Sequence, residues 1–290
     1  MAGVSATGEQ ALVTPDWVES RIGDAMVRVI EIAGIGQDDM QAYKEGHVPG
    51  AACCEWKDLL WDAHARDFPA PDEFARRLGA LGIAPDTTVV FYGEPVQFGI
   101  YGWWTFRYCG HRNVKVLDGG RHRWKAEGRK LNSDVPQVHR PVSYPPAQRD
   151  EAMRIGRDEV LAALGKTSTV IVDGRSAEEY SGQRVGAPGN PDTGALRYGR
   201  IPRAKHLMFE ELLNADKSFK PSAEIRAAFE SRGAVSGRDI ITYCRMSHRA
   251  TVLYFALTQL AGYSGVRVYD EVMDGVGKSG GRTRRTVISN

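Results

Sequence analysis

The sequence predicts an α/β protein made of two copies of one domain, each a mostly parallel sheet flanked by helices. Short runs of β-branched and aromatic residues alternate with longer stretches of helical spacing, which is the pattern of a parallel sheet covered by helices. The same blocks also recur 151 to 153 residues apart: residues 46–51 match 199–204, and residues 89–92 match 240–243. A nearly constant offset over several blocks indicates an internal duplication.

The first copy contains three predicted strands, at residues 27–32, 87–92 and 114–117. Thr14, followed by Pro15, is a predicted helix N-cap, because a hydroxyl can accept a hydrogen bond from the first turn and proline fits the first helical position. Residues 71–80 predict an amphipathic helix, and the aromatic-rich stretch 98–109 predicts a buried one.

The second copy repeats this order with a strand at 170–173, a strand at 240–243 and an apolar helix at 250–261 that ends before Gly262. It carries additional residues, rich in glycine and proline, within 182–198. Between the copies, four prolines lie in a stretch without periodicity, which predicts an extended linker: Pro136, Pro141, Pro145 and Pro146. We therefore predict an N-terminal domain at 1–135, a linker at 136–150 and a C-terminal domain at 151–290.

A short polar loop separates the predicted strand 240–243 from the predicted helix 250–261. It begins at Cys244, ends at Arg249 and also contains Arg245 and His248. Backbone N–H groups and the dipole at a helix start create a positive field, to which these side chains are expected to add charge. A cysteine in this setting is expected to be a thiolate near neutral pH. The residues alone thus predict nucleophilic cysteine chemistry on an anion.

Simple packing is the alternative for Cys244, because most cysteines are small core residues. The basic residues beside it argue against packing alone, since burying them without an anionic ligand or water would cost free energy. The equivalent position in the first copy, 151 residues earlier, is Gly93, and the following residues 94–97 carry an acid and no base. We therefore predict an inactive first domain and a catalytic second domain.

Composition excludes several other classes of protein. The 290 residues are 42% hydrophobic, as expected for one large or two medium domains. A net charge of +2 gives no argument for a nucleic-acid partner, and no window suits a membrane span. The N-terminus lacks the features of a signal peptide, and four cysteines do not form a disulfide framework. We expect a cytoplasmic protein.

These residues together resemble the two-domain rhodaneses, the thiosulfate and 3-mercaptopyruvate sulfurtransferases. The resemblance covers most of residues 10–270. It rests on the Gly-x-[Ile/Val]-Pro-x-Ala turn in both halves, on Asp118-Gly119-Gly120 before Trp124, on the Asp-Gly-Arg sequence at 173–175 and above all on residues 244–249.

The resemblance implies tandem rhodanese-like domains and covalent catalysis at Cys244. Its thiol would take a sulfane sulfur from a donor, become a persulfide, and release sulfite if the donor is thiosulfate. Cyanide or a thiol would then accept the sulfur, with no metal or organic cofactor. The implied substrate-binding residues are those of the loop, together with one arginine after the first strand of the second domain: Arg175, Arg245, Met246, Ser247, His248 and Arg249.

Two rival interpretations concern the substrate. Cysteine-dependent phosphatases of related fold place five residues between cysteine and arginine, whereas four separate Cys244 from Arg249 here, which favours a sulfur-sized ligand. Within the family, a basic loop is typical of thiosulfate enzymes and an uncharged, glycine-rich loop of mercaptopyruvate enzymes. The basic loop therefore favours thiosulfate, a dianionic donor, with 3-mercaptopyruvate as the alternative.

One departure from the family pattern keeps a non-enzymatic role open. After Asp270 the family commonly continues Gly-Ser-Trp, whereas residues 271–277 read Glu-Val-Met-Asp-Gly-Val-Gly and a Gly- and Arg-rich tail follows. The alternative is a persulfide carrier or binding protein with little small-molecule turnover. In either case we expect a monomer, because the tandem copies already supply an intramolecular domain pair.

Overall fold

The structure is a computed structural model that describes residues 10–34, 40–65, 67–134, 139–189, 192 and 198–270. Contacts divide the chain into two compact units. The first comprises residues up to Arg149 together with Ala215–Ser218, and the second comprises the other residues from Asp150 onward. Each unit contains one five-stranded sheet in which every strand pair is parallel.

The first unit has the strand order β1-β5-β4-β2-β3. Its elements in chain order are β1 (Leu12–Val13), α1 (Pro15–Glu19), β2 (Val27–Ala33), α2 (Gln41–Glu45), β3 (Ala52–Glu55), α3 (Trp56–Leu60), α4 (Pro71–Ala80), β4 (Thr88–Glu94), α5 (Gln97–Tyr108), β5 (Val114–Leu117) and α6 (Gly120–Ala126).

The second unit has the strand order β6-β10-β9-β7-β8, which is the same spatial order. Its elements in chain order are a 3₁₀ turn (Glu151–Met153), β6 (Arg154–Ile155), α7 (Arg157–Ala163), β7 (Thr169–Asp173), α8 (Ala177–Ser181), β8 (Lys205–His206), a 3₁₀ turn (Phe209–Leu212), α9 (Ser222–Glu230), β9 (Asp239–Tyr243), α10 (His248–Phe255), a π-helical turn (Ala256–Leu260) and β10 (Val266–Tyr269). The predicted fold class, two parallel α/β repeats, is confirmed.

The central strands and helix α5 are apolar on all sides because they lie inside the two cores. Residues 89–93 of β4 and residues 240–243 of β9 are buried, as expected for central strands covered on both faces. Helix α5 is buried along almost its whole length, and the indole of Trp103 donates a hydrogen bond to the carbonyl of Val114 at 3.1 Å. That bond satisfies a polar group which burial would otherwise leave costly.

Most predicted boundaries agree with the structure within one or two residues. The predicted helix 71–80 matches α4, and the Thr14 hydroxyl accepts the predicted cap hydrogen bond from the amide of Trp17 at 3.2 Å. The predicted helix 250–261 differs from the structure at its start, since α10 begins two residues earlier, at His248. The Thr251 amide donates to the Ser247 carbonyl at 2.9 Å and closes the first turn early.

The stretch between the copies contains no helix or strand in its described residues, 139–149. It is held against the first unit by hydrogen bonds from the amide of Val142 to the carbonyl of Gly79 at 2.9 Å, and between the His111 ring and the Tyr144 hydroxyl at 2.9 Å. Pro136 lies outside the described residues.

A tyrosine anchors the same turn in both units and thereby fixes the carboxyl edge of each sheet. The buried hydroxyl of Tyr92 accepts the amide of Val48 at 3.2 Å, and that of Tyr243 accepts the amide of Ile201 at 3.1 Å. Because both turns carry the Gly-x-[Ile/Val]-Pro-x-Ala pattern, the duplication extends to individual hydrogen bonds. It also aligns Cys244, which follows Tyr243, with Gly93, which follows Tyr92.

Candidate functional site

Cys244 is the first residue after β9 and lies at the carboxyl edge of the second sheet. Its side chain is 1% exposed, in a four-residue loop that ends at Ser247. Ser247 has a left-handed backbone (φ 65°), which is uncommon for a residue other than glycine. The Thr242 hydroxyl donates to the Ala250 carbonyl at 3.1 Å and so ties the strand to the helix. The thiol is therefore held beside the start of α10, where the first N–H groups lack partners within the helix.

Arg249 lies in the first turn of α10, not in the loop as the sequence suggested. Its guanidinium donates to both carboxylate oxygens of Glu179, at 2.5 and 2.9 Å. Burial alone would raise the pKa of Glu179, but the hydrogen bonds and charge of Arg249 outweigh it and hold that pKa below its usual value. The pair remains ionised, and most of the positive charge of Arg249 is balanced by Glu179.

Arg175 is 1% exposed and is also paired with a carboxylate. It donates to Asp173 at 2.7 to 3.2 Å and to the Gly199 carbonyl at 2.8 Å. Its guanidinium carbon lies 5.5 Å from the ring centroid of Tyr243. Burial would lower the pKa of Arg175, but Asp173 raises it instead. Arg175 thus joins β7, the Gly199 turn and the tyrosine that precedes Cys244.

The remaining loop residues differ in how much charge they contribute. His248 is buried, and burial, with a smaller effect of Arg249, lowers its pKa to about 3. It is therefore neutral at pH 7 and does not add the positive charge that the sequence suggested. Arg245 and Met246 are half-buried, whereas Ser247 is buried.

The structure thus brings all seven predicted site residues to one edge of the second sheet. Sequence reasoning missed Glu179 and Asp173, the carboxylates that neutralise two of the predicted cations. A signal for Glu179 exists: Ser176 and Glu179 form a capping box, in which the Ser176 amide donates to Glu179 at 3.2 Å. That pattern predicts a helix start, but not that the same carboxylate also binds Arg249.

The equivalent site in the first unit has no room for a side chain. A Cβ atom on Gly93 would lie 2.4 Å from the backbone nitrogen of Gly99 and 2.9 Å from the carbonyl oxygen of Pro95. Separations this short require the backbone to move. The close approach of β4 to α5 fills the volume that a cysteine would need.

The described residues contain neither a candidate metal centre nor a candidate membrane span. No group of three or more His, Cys, Asp or Glu side chains there could hold a metal ion. No helix in the described part of the chain has both the length and the apolar character that a bilayer crossing requires.

The protein-family model of the rhodanese-like domain matches the sequence of this chain twice, at residues 14–127 and 156–278. The chain belongs to the rhodanese family of sulfurtransferases. The two matches correspond to the two sheets described above, so both sheets are rhodanese-like domains.

Similar proteins include two curated relatives of nearly the same length. The "Sulfur carrier protein TtuD" of Thermus thermophilus is 40% identical over 270 residues, covering 90% of this chain and 91% of the relative. A "Putative thiosulfate sulfurtransferase" of Saccharopolyspora erythraea is 35% identical over 263 residues, covering 90% and 91%. Their names imply a sulfur donor and a sulfur acceptor.

The fold also matches a solved structure of EanB in complex with hercynine, with a TM-score of 0.77 and 24% sequence identity. The match covers 90% of this rhodanese and 65% of the EanB chain, so this chain spans about two thirds of the length of EanB. At this identity the likeness concerns the fold alone.

Proposed function

We propose that this rhodanese transfers a sulfane sulfur from thiosulfate to cyanide or a thiol through a persulfide on Cys244. The observation that carries the proposal is the position of Cys244: of the two equivalent strand ends, this one has a thiol beside a helix N-terminus. The equivalent strand end of the first domain has Gly93, where an added Cβ would clash with the backbone. We accordingly assign catalysis to the domain at 151–290, with residues 136–150 as the linker and an inactive domain at 1–135.

The proposed first step is attack of the Cys244 thiolate on the outer sulfur of thiosulfate. A new sulfur–sulfur bond forms at Sγ, the sulfur–sulfur bond of thiosulfate breaks, and sulfite leaves with the electron pair. Backbone N–H groups around residues 245–249, with the Arg245 side chain, would stabilise the anionic persulfide. Burial of Cys244 supports this role because a shielded persulfide is protected from side reactions with water.

The other predicted substrate-binding residues fit the proposal in different ways. Met246, Ser247 and His248 would shape the loop, in which the His248 amide donates to the Met246 carbonyl at 2.8 Å, and Met246 and Ser247 would supply backbone donors. Arg249 and Arg175 would bind the donor only at the edges of guanidinium groups that Glu179 and Asp173 already hold. We propose that both arginines chiefly fix the shape of the cradle.

Two alternatives have specific support. Pairing of Arg249 with Glu179 reduces the net positive charge of the site, which favours a singly charged donor such as 3-mercaptopyruvate more than the sequence alone suggested. The name of the Thermus thermophilus relative supports a sulfur carrier. A reducing cytoplasm suits all of these roles, because it keeps a nucleophilic thiol available. Residues 271–290, which depart from the family pattern, lie outside the described residues.

The test is the intact mass of the reduced protein after exposure to thiosulfate and removal of small molecules. We expect a gain of one sulfur atom that is lost in Cys244→Ser. Cys109→Ser is the matched control, because Cys109 is also buried, at 3% exposure, but lies at the end of α5 in the first domain. That control should load normally.

Each outcome separates the alternatives. A gain with 3-mercaptopyruvate but none with thiosulfate would overturn the donor assignment. Loading without steady-state turnover to cyanide would favour the carrier. A gain that persists in Cys244→Ser would overturn the assignment of the nucleophile.

A further inference from the structure

A cluster of exposed positive charge lies on the turn that leads into β8. Arg200, Arg203 and Lys205 are all exposed, and residues 198–206 contain no acidic side chain. We call these three residues the basic turn. Arg200 is fixed by packing of its guanidinium on the Tyr180 ring, 4.6 Å from the centroid. Tyr180 in turn stacks on His206 at 4.7 Å, so the turn has a defined conformation.

The basic turn is connected directly to the candidate site. The Gly199 carbonyl accepts a hydrogen bond from Arg175 at 2.8 Å, and the Ile201 amide donates to the hydroxyl of Tyr243 at 3.1 Å. Tyr243 immediately precedes Cys244. A molecule bound to the turn would therefore lie next to the residues that position the nucleophile.

Arg203 carries an independent sign of function in its backbone. Its φ angle is 64°, in the left-handed region, whereas the equivalent residue of the first unit is Gly50, with φ 78°. Glycine adopts this conformation without steric cost, whereas a residue with a Cβ atom is strained in it. Over the described residues, the Arg203 side chain makes no hydrogen bond or ion pair that would offset this cost. Backbone strain that no side-chain contact offsets is typical of functional positions.

The equivalent turn of the first unit shows that the fold does not require these charges. Residues 45–53 form the same Tyr-anchored turn, yet they contain no lysine or arginine and begin with Glu45. At this turn, lysine and arginine are therefore confined to the copy that also carries Cys244.

We propose that the basic turn docks an acidic surface of a protein that accepts sulfur on a thiol. The inference rests on the proposed persulfide function and names the class of acceptor for the same site. A protein is favoured over a nucleic acid because the reaction needs a nucleophilic acceptor, and a cysteine supplies one. Long-range attraction between the turn and an acidic partner would raise the rate of productive encounter.

The transfer step is balanced without an added oxidant or reductant. The acceptor thiol first loses its proton to solvent, and its thiolate then attacks the outer sulfur of the Cys244 persulfide. A sulfur–sulfur bond forms on the acceptor as the bond to Cys244 Sγ breaks. The electron pair of that bond remains on Cys244, which is regenerated as a thiolate.

The experiment compares two cysteine peptides as acceptors from persulfide-loaded protein: one flanked by aspartates and glutamates, and one flanked by asparagines and glutamines. We expect faster transfer to the acidic peptide, by about tenfold at low ionic strength, with the difference lost at high salt. Arg200→Gln with Lys205→Gln should remove most of the difference. Arg203→Gly should reduce it while leaving thermal stability unchanged or raised, because glycine relieves the strained backbone.

The matched control is Lys166→Gln with Arg238→Gln, which removes the same charge from the second unit. Both residues are exposed and precede β7 and β9, at the opposite edge of the sheet from Cys244. This variant should keep the preference for the acidic peptide. Equal loss of preference in both variants would overturn the proposal and leave net charge as the cause.

Two other readouts keep this proposal separate from the proposed function. Loading by the small-molecule donor and discharge to cyanide should be the same in Arg203→Gly and the unaltered protein. If loading itself fails in the unaltered protein, the persulfide function is wrong. If loading succeeds but both peptides react equally, the docking surface is wrong. Stronger inhibition by a short RNA than by an acidic peptide lacking cysteine would overturn the choice of a protein partner.

Discussion

The strand–loop–helix segments at Gly93 and Cys244 share one topology but differ in where the sheet stops. In the first domain, pairing between β2 and β4 continues through Ile32 with Gly93 and Ala33 with Glu94. In the second, pairing between β7 and β9 ends at Asp173 with Tyr243, so the chain is free to curve at Cys244. In the domain for which we propose catalysis, strand pairing thus ends before the cysteine, whereas in the first domain it includes the equivalent residue, Gly93.

The two domains nevertheless share a buried charge arrangement beside the loop. Glu31 lies opposite Tyr92 in the sheet, and Asp173 lies opposite Tyr243. Each carboxylate is paired with a buried arginine, Arg121 in the first domain and Arg175 in the second. Because the first domain, which has Gly93 in place of the cysteine, keeps the pair, the pair serves the shape of the fold in both. What distinguishes the second domain is the additional pair of Glu179 with Arg249.

The largest expected effect comes from removing that additional pair. Glu179→Ala would leave the guanidinium of Arg249 buried without a counter-charge, which should destabilise the second domain by about 3–5 kcal/mol. Glu179→Gln keeps a hydrogen-bond acceptor and should cost less. Hydrogen exchange of peptides from α8 and α10 measures the loss locally, and sulfur loading at Cys244 measures its effect on the site.

Glu31→Ala is the control in the first domain, because it removes the carboxylate to which the buried Arg121 donates and leaves Glu94, 3.9 Å away, as the remaining counter-charge. We expect a smaller destabilisation of the first domain and unchanged sulfur loading per folded molecule. Loss of loading in both variants would contradict the view that the Glu179 pair serves the site specifically.

Gly93→Cys tests whether a thiol introduced at this position makes the loop of the first domain able to bind a sulfur atom. The added Cβ would meet the backbone of Gly99, so we expect destabilisation of about 3 kcal/mol and no second persulfide. All six tryptophans lie between Trp17 and Trp124, so tryptophan fluorescence reports unfolding of the first domain. A variant of normal stability that loads two sulfur atoms would show that the cysteine alone distinguishes the loops.

The sequence was sufficient for features that depend on local chemistry or repetition. Periodicity and the constant offset predicted both sheets, and the Thr14 cap and the burial of α5 followed from residue types. The sequence did not predict ion pairs between side chains that are distant along the chain. Glu179 and Arg249 are 70 positions apart, and no short motif contains both. The neutral state of His248 also depends on burial, which the charged neighbours in the sequence obscured.

The smallest expected effect concerns His248, whose equivalent in the first domain, 151 residues earlier, is Gln97. Because burial lowers the folded-state pKa of His248 to about 3, the unfolded chain binds a proton between about pH 6.5 and pH 3 that the folded protein does not. With respect to His248, the free energy of unfolding is therefore highest above pH 6.5 and decreases as the pH falls from about 6.5 to about 3. At pH 4.5 the loss should be on the order of 2 kcal/mol. His248→Gln should flatten this dependence, measured by hydrogen exchange of α10 peptides between pH 7.5 and 4.5. Gln97→His should introduce a weaker dependence in the first domain, because Gln97 is only half-buried. An unchanged pH dependence in His248→Gln would mean that His248 is accessible to protons in the folded protein and can contribute charge to the loop after all.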